Sequence, residues 1–479
     1  MRIKYLLLIL FISSILFGQS GGSIGNNDAK SLSMARSGVT TTNGLFALGS
    51  NPANLHYLST SKKVELIIPF PLPTLSISAG TNFITLDEYN YFFGTSTINS
   101  KGEKEGRYLT TEDKTRLKNL FDGGGNISAD INLTLFGIAI RPSDNFGTLA
   151  FSINDVFSSN STIPKGIIDL ALDGNKENSV YNFNDSKHKA WWLRKYSISY
   201  ARNLNIFKFL ENLSGGFSFN IVHGYFYTSI EDVKTELKTG AENVITGSGQ
   251  FTGYSAFSND FAVKYDFDSR PKRKENYSFF PSPAGSGIGF DFGLNAKINR
   301  SVSFAIALSD IGNVKWTKNV AMFSSTKTIY LDDITDKNQI DSLTDALTGK
   351  ESGKYISNLS TPLASSFQFG VALQMHEVFN GKFPGRMLLA FEFHQGLNEQ
   401  PRNSKDPRFS IGIDWGLSNL FSIRSGFSFG GIDKFNWGAG LGFDFGMLEL
   451  NFGTSDFQYA VAPNSAKRIV VGFDSRWKF

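Results

Sequence analysis

The chain of 479 residues contains no cysteine. That excludes a disulfide framework, a zinc–thiolate cluster and a thiol nucleophile. Charge is scarce as well, at 19% of residues, where a soluble domain carries about 25%. The 47 basic and 43 acidic residues are interspersed and the net charge is only +4, so no concentrated basic face marks a nucleic-acid binder. The five histidines are His56, His188, His223, His376 and His394. None stands at metal-ligand spacing, and neither a metal nor a cofactor is expected. Gly123-Gly124-Gly125 lacks the Lys-Ser or Lys-Thr of a phosphate loop. Ser286-Gly287 and Ser425-Gly426 lack the context of a nucleophile elbow. No catalytic constellation stands out, so the chain is not expected to be an enzyme.

What is abundant is glycine and phenylalanine, 47 and 45 residues, while mean hydropathy is only −0.15. A chain can be aromatic yet unhydrophobic on average if apolar and polar positions alternate. The N-terminus departs from this pattern. Arg2 and Lys4 precede an apolar run from Tyr5 to Phe17, and Gly18-Gln19-Ser20 offers small residues for cleavage. This layout predicts a secretory signal peptide over 1–18, cut near Gly18. No later run reaches the 18 apolar residues of a spanning helix.

The alternation is explicit. Ile288, Phe290, Phe292, Leu294, Ala296 and Ile298 interleave with Gly287, Gly289, Asp291, Gly293, Asn295 and Lys297. Phe435 to Phe445 repeats the pattern against Asn436, Gly438, Gly440, Gly442 and Asp444. Such runs exceed the usual 5–6 residues of a soluble strand and match the roughly 9–11 of a membrane strand. Strands in lipid must close into a barrel. Fourteen spans are expected, near 72–84, 130–141, 146–157, 191–203, 214–230, 286–298, 301–314, 364–376, 386–397, 407–416, 420–430, 435–445, 448–459 and 468–479. Sixteen is the alternative, with an extra pair hidden in 231–285. With the first span running outward, every inner connection is short. The long connections, near 85–129, 158–190, 231–285 and 315–363, all fall outside, as in an up-and-down transmembrane barrel. The fold class is therefore all-β, an antiparallel barrel over 64–479. Trp191, Trp192, Tyr196, Tyr200, Tyr225 and Tyr227 read as an interfacial aromatic girdle.

Three loop segments read as helical: Thr110 to Phe121, capped by Thr110 with Asp113 at its third position, Ile167 to Leu172, and Asp332 to Leu347. Pro69, Pro71 and Pro73 read as the lead-in from an N-terminal plug to the first strand. Residues 19–63 do not alternate and suit a compact insert filling a barrel of this width.

In that insert, Met34-Ala35-Arg36-Ser37-Gly38-Val39 and Gly49-Ser50-Asn51-Pro52-Ala53-Asn54-Leu55 resemble the N-terminal hatch of the FadL-type outer-membrane proteins. The family carries an Asn-Pro-Ala motif after a glycine-rich stretch; this chain has Ala35-Arg36 where many relatives have glycines. Gly287–Asp291 and Ser309-Asp310-Ile311-Gly312 also resemble strands of that superfamily, which includes PorV-like relatives. The resemblance implies a hatch containing Gly38, Gly49, Asn51, Pro52, Ala53 and Asn54, a periplasmic N-terminus and passage of hydrophobic, fatty-acid-like compounds. It places the chain in the outer membrane of a Gram-negative cell. The expected partners are outer-membrane lipid, lipopolysaccharide, the barrel-assembly machinery and a hydrophobic ligand, with no nucleic acid. A scaffold or receptor for exported proteins is the alternative, because some relatives serve secretion.

Lumen-facing polar candidates by parity are Asp291, Lys297, Glu392, His394, Asp414, Arg424 and Asp444, alongside Asn295, Arg408, Glu449, Asp474 and Arg476. Phe473, Trp477 and the terminal Phe479 share one face of the last span and resemble the assembly signal of outer-membrane barrels.

Overall fold

The computed structural model describes residues 28–58, 63–98, 104–204, 206–241, 244–269, 271, 274–276, 278–332, 336–341, 353–431 and 434–479. The expected signal peptide and its cleavage point lie outside the described residues, as do 19–27 and 59–62 of the expected insert.

Fourteen antiparallel strands close into a barrel. In chain order they are β1, in two pieces (Val64–Ile67 and Thr74–Thr81), β2 (Gly125–Ser143), β3 (Gly147–Ile163), β4 (Lys187–Asn203) and β5 (Asn212–Thr239). There follow β6 (Gly285–Lys297), β7 (Val302–Trp316), β8 (Ser366–Gln374), β9 (Arg386–Gly396) and β10 (Arg408–Gly416). The last four are β11 (Phe421–Gly430), β12 (Lys434–Asp444), β13 (Leu448–Thr454) and β14 (Arg468–Lys478). Neighbours in sequence are neighbours in space, and β14 closes on β1 through Leu75↔Phe473 and Glu65↔Lys478. Closure leaves no open edge in lipid. The outward parity carries Ile77, Phe217, Phe292, Phe369, Phe409 and Ile469, all exposed.

Three expectations need correction. The first strand does not begin after the prolines. Val64–Ile67 already pairs with both β2 and β14, so Pro69–Pro73 interrupts a single strand. Proline has no N–H for a ladder, and two of its neighbours patch the gap instead: Trp477 Nε1 donates to Phe70 O at 2.9 Å, and the Ser475 hydroxyl donates to Leu72 O. The region 231–285 does contain a strand, Ile245–Phe257, but it adds none to the wall. It pairs with the upper part of β5 and with Ala321–Leu331 from another outer loop. These form a sheet continuing above the barrel, because β5 runs for 28 residues where about 9–11 span the bilayer. The aromatic girdle is also only partly right. Trp191, Tyr225 and Tyr227 are buried, and Trp191 and Tyr227 join a core cluster with Trp316. A register shift between Trp192 and Leu193 breaks the parity that the sequence suggests.

In the outer loops, Thr110 caps the helix Thr111–Asn119 with a reciprocal bond from Asp113. Lys165–Asp173 is helical, one turn longer than Ile167–Leu172 suggests. Between 332 and 347 the described helix covers only 337–341. An unforeseen helix, Leu86–Phe93, carries a Thr85/Glu88 capping box. Phe92, Leu117 and Phe121 bury together between these loop helices.

Candidate functional site

Residues 28–58 lie inside the barrel. Asp28 caps a short helix, Ala29–Ser33, by accepting from Ser31 N at 2.9 Å. The chain then reverses through Ala35 and Arg36, at φ 50° and 69°. This left-handed region favours glycine, so Ala35 and Arg36 are unusual occupants of the turn. Two 3₁₀ turns follow, Gly44–Ala47 and Pro52–His56. Asn51 accepts from Ala53 N at 3.0 Å, and its amide donates to Val39 O at 3.0 Å. The Asn54 amide donates to the same carbonyl at 2.9 Å, and Asn54 Oδ1 accepts from Asn295 of β6 at 2.6 Å. Asn51-Pro52-Ala53-Asn54 is thus a staple that ties the insert to itself and to the wall. Gly38 is buried beside Ser31, and Gly49 takes a positive φ of 81°.

The lumen face of the wall is cut to fit this insert. A β-carbon on Gly412 would approach Met34 Cβ to 2.7 Å, and one on Gly438 would approach Leu32 O to 2.6 Å. Gly370 would strike Val39, Gly453 would strike Ala29, and Gly216 would strike Pro52 and Ala53. The glycines that alternate with lipid-facing aromatics let the insert's backbone lie directly on the wall.

Charged contacts fix the same interface. The Ala29 N–H donates to Asp474 at 2.7 Å, and the Val39 N–H donates to Glu392 at 2.8 Å. Lys30 reaches Asp414 at 2.8 Å, and Asp414 also pairs with Arg424 at 3.1 Å. At the inner end Arg476 of β14 meets Glu65 of β1 at 3.1 Å and pairs with Glu449; it also donates to Asn43 O at 2.8 Å. Glu65 in turn accepts the Leu45 N–H at 2.9 Å. Burying charge is tolerable only with such pairing.

The insert does not fill the lumen evenly. Between it and β1–β8 lies a cavity of about 120 Å³. Leu45, Phe46 and Leu48 of the insert, with Ile67, Leu75, Val156, Trp191, Leu193 and Leu363, supply its apolar lining. Its polar lining includes Asn132, Ser197, Asn220, Asp291, Lys195 and Asp310. Lys195 Nζ bonds Asp310 at 2.6 Å, reaching from β4 to β7 across two intervening strands. Asp291 accepts from the Asp310 N–H at 2.7 Å and from Asn220 at 2.9 Å. Ile67 and Thr74, the residues on either side of the break in β1, both line the cavity.

The sequence candidates therefore divide. Asp414, Arg424 and Glu392 meet the insert or its partners, and Asp291 lines the cavity. Lys297 lies over the Tyr57 ring at 4.2 Å, near the inner end. Asp444 is at the inner rim, paired with Lys478 at 2.7 Å. His394 is buried, opposite Arg408 in register. No single site gathers all seven. Lys195, Asp310 and Asn132 escaped sequence reasoning; alternation places Lys195 and Asn132 on the lumen face but nothing ranked them, and a bulge at Asp310, with φ 57°, turns it inward against the parity of the exposed Ile306 and Leu308. Phe473 and Trp477 lie on β14, and the Trp477 ring stacks with Phe479 and Phe70. Gly426-Phe427-Ser428-Phe429-Gly430 has Gly-x-Ser-x-Gly spacing but occupies the middle and end of β11, without the strand–turn–helix geometry of a nucleophile elbow. Among the described residues no group of three or more His, Asp or Glu could hold a metal.

A closed fourteen-stranded antiparallel barrel with residues 28–58 packed inside defines the class: a β-barrel with the FadL-type fold. A monoaromatic hydrocarbon channel, a TodX deltaS2S3 mutant, shares this fold with a TM-score of 0.50 at 12% identity, covering 96% of this chain and 99% of that one. The Ralstonia pickettii toluene transporter TbuX gives 0.46 at 10% identity over 95% and 99%. A Pseudomonas aeruginosa FadL homologue gives 0.44 at 12% over 96% and 97%. No curated protein matches the chain. Residues 59–455 match the "Family of unknown function (DUF5723)", and the chain belongs to that family.

Proposed function

We propose that the chain binds a small hydrophobic molecule in the cavity between insert and wall and passes it across the outer membrane. The observation that carries this reading is the cavity itself, about 120 Å³ with an apolar side built from Leu45, Phe46, Leu48 and Ile67. A dry cavity of about 150 Å³ takes benzene, so this one suits a ligand, or part of a ligand, on the single-ring scale. That a channel for monoaromatic hydrocarbons has the same fold is consistent with this reading. Movement would be local: the glycine contacts on β8 and β10–β13 hold the insert's first half, while residues 45–49 border the cavity. The test is mass spectrometry of organic extracts from the detergent-purified protein beside an unrelated barrel. A stoichiometric hydrophobic compound unique to this protein is expected; an extract matching the control contradicts the reading.

One observation favours a second reading, a scaffold for exported proteins. The sheet built from upper β5, Ile245–Phe257 and Ala321–Leu331 stands above the wall and offers a surface independent of the lumen. Cross-linking on intact cells from cysteines placed in that sheet would capture a protein partner in this case and none in the first.

A further inference from the structure

Arg194 of β4 stands on the outside of the wall. Its neighbours Leu193 and Lys195 line the cavity, so strand alternation turns Arg194 outward, on the parity of the exposed Ile198. Asp155 of β3 points outward likewise, between Asn154 and Val156 of the cavity lining. The two side chains pair at 2.6 Å and 2.7 Å, with Arg194 only 1% exposed. In register with them run His223, Ser286 and Lys315 on β5, β6 and β7. Two residues toward the inner end, the same face carries Ile153, Tyr196, Ile221 and Ile288. The polar row therefore marks the outer limit of the apolar band, the level of lipid headgroups. What covers Arg194 there is the outer loop before β6. Phe261 stacks on Trp192 at 6.1 Å, and Asp260 accepts from Ser282 N at 2.6 Å and Asn276 N at 2.9 Å. This folds the loop down over the outside of β4 and β5. Arg194 donates to Phe279 O at 3.2 Å, and its guanidinium carbon lies 5.4 Å and 4.9 Å from the Phe279 and Phe280 ring centres. The two rings are nevertheless 62% and 63% exposed.

We propose that Phe279 and Phe280 form a membrane anchor: the outer loop folds back along the outside of the barrel, and these two rings enter the lipid of the outer leaflet. The rings stand just above the lipid-facing Ile221 and Ile288, both exposed, so their open faces continue a surface that lipid already covers. Aromatic rings favour this depth, where one side is apolar and the other wet. The Arg194–Asp155 pair has a positioning role. It fixes the loop backbone through Phe279 O and offers the rings a cation to rest against. The anchor is separate from the cavity and does not depend on what the cavity binds.

The absence of cysteine makes a clean test possible. Phe280→Cys in the full chain is labelled with a nitroxide, the protein is placed in phosphatidylcholine vesicles, and label accessibility to oxygen and to a water-soluble nickel chelate is measured. Phe292→Cys, on the lipid-facing side of β6, gives the value for lipid; Tyr108→Cys, 95% exposed in an outer loop, gives the value for water. The ratio of oxygen to nickel accessibility at 280 should lie well above that at 108 and shift toward that at 292. Phe279→Cys should give the same shift and keeps the test open if Phe280→Cys fails to fold. A ratio at both positions equal to that at 108 would overturn the anchor. Protection from both reagents would also overturn it, because the rings would then be covered by protein, such as a second copy of the chain, and not by lipid.

Discussion

Gly412 of β10 and Met34 of the insert are in contact at the level of their backbones: a β-carbon on Gly412 would lie 2.7 Å from Met34 Cβ. The same fit recurs at Gly370, Gly438 and Gly453. Wall and insert are therefore one packed unit along this side, and interiors packed so closely do not absorb added volume. Gly412→Val should destabilise the folded barrel by about 1–3 kcal/mol, the usual cost of overpacking. Thermal unfolding in detergent measures it. Gly106→Ala, in an outer loop with nothing near its added methyl, should leave the midpoint unchanged.

The closing seam depends on Arg476 between Glu65 and Glu449. Arg476→Met removes the ion-pair partner of buried Glu65 and leaves Glu449 only Lys478 at 3.4 Å, and should cost about 3–5 kcal/mol. Glu65→Gln in the same background should recover part of that loss, because it removes the unpaired charge. Equal unfolding midpoints for the single and double variants would contradict the pairing.

Asn51→Ala removes the cap on Pro52–His56 and one of two bonds to Val39 O. A loss of about 1–2 kcal/mol is expected, concentrated in the insert. Limited proteolysis should cut residues 28–58 faster while the wall stays resistant.

The outer loop helix Thr111–Asn119 has a pH signature. The Tyr91 hydroxyl, bonded to Asp113 at 2.7 Å, and the Thr110 N–H hold the Asp113 carboxyl below its ordinary value of 3.8. A depressed carboxyl stabilises the fold above its unfolded pKa and loses that contribution as pH falls through its folded value. The loop should stay protected from hydrogen exchange at neutral pH and lose protection only below about pH 3.8. Asp113→Asn should abolish that pH dependence.

The wall was legible because alternation is a direct consequence of one face meeting lipid. Ile288 to Lys297 could be assigned residue by residue, and Gly293 of its inner parity marks contact with Asn51 and Pro52 of the insert. Three things resisted. The four residues Val64–Ile67 are too few for a periodic signal, and the prolines after them look like a boundary. Trp191 sits beside a register shift, so parity pointed it the wrong way. The pairing of Lys195 with Asp310 joins strands separated by β5 and β6, and nothing local in the sequence relates them. The cavity was invisible for the same reason: its lining converges from eight strands and the insert.

The most direct measurement is stoichiometric binding of toluene to the wild type and to Val156→Phe, which fills the cavity from β3. Binding near one equivalent in the wild type, lost in a Val156→Phe protein of unchanged unfolding midpoint, is the predicted result. Equal binding by both proteins would contradict the assignment of the cavity as the ligand site.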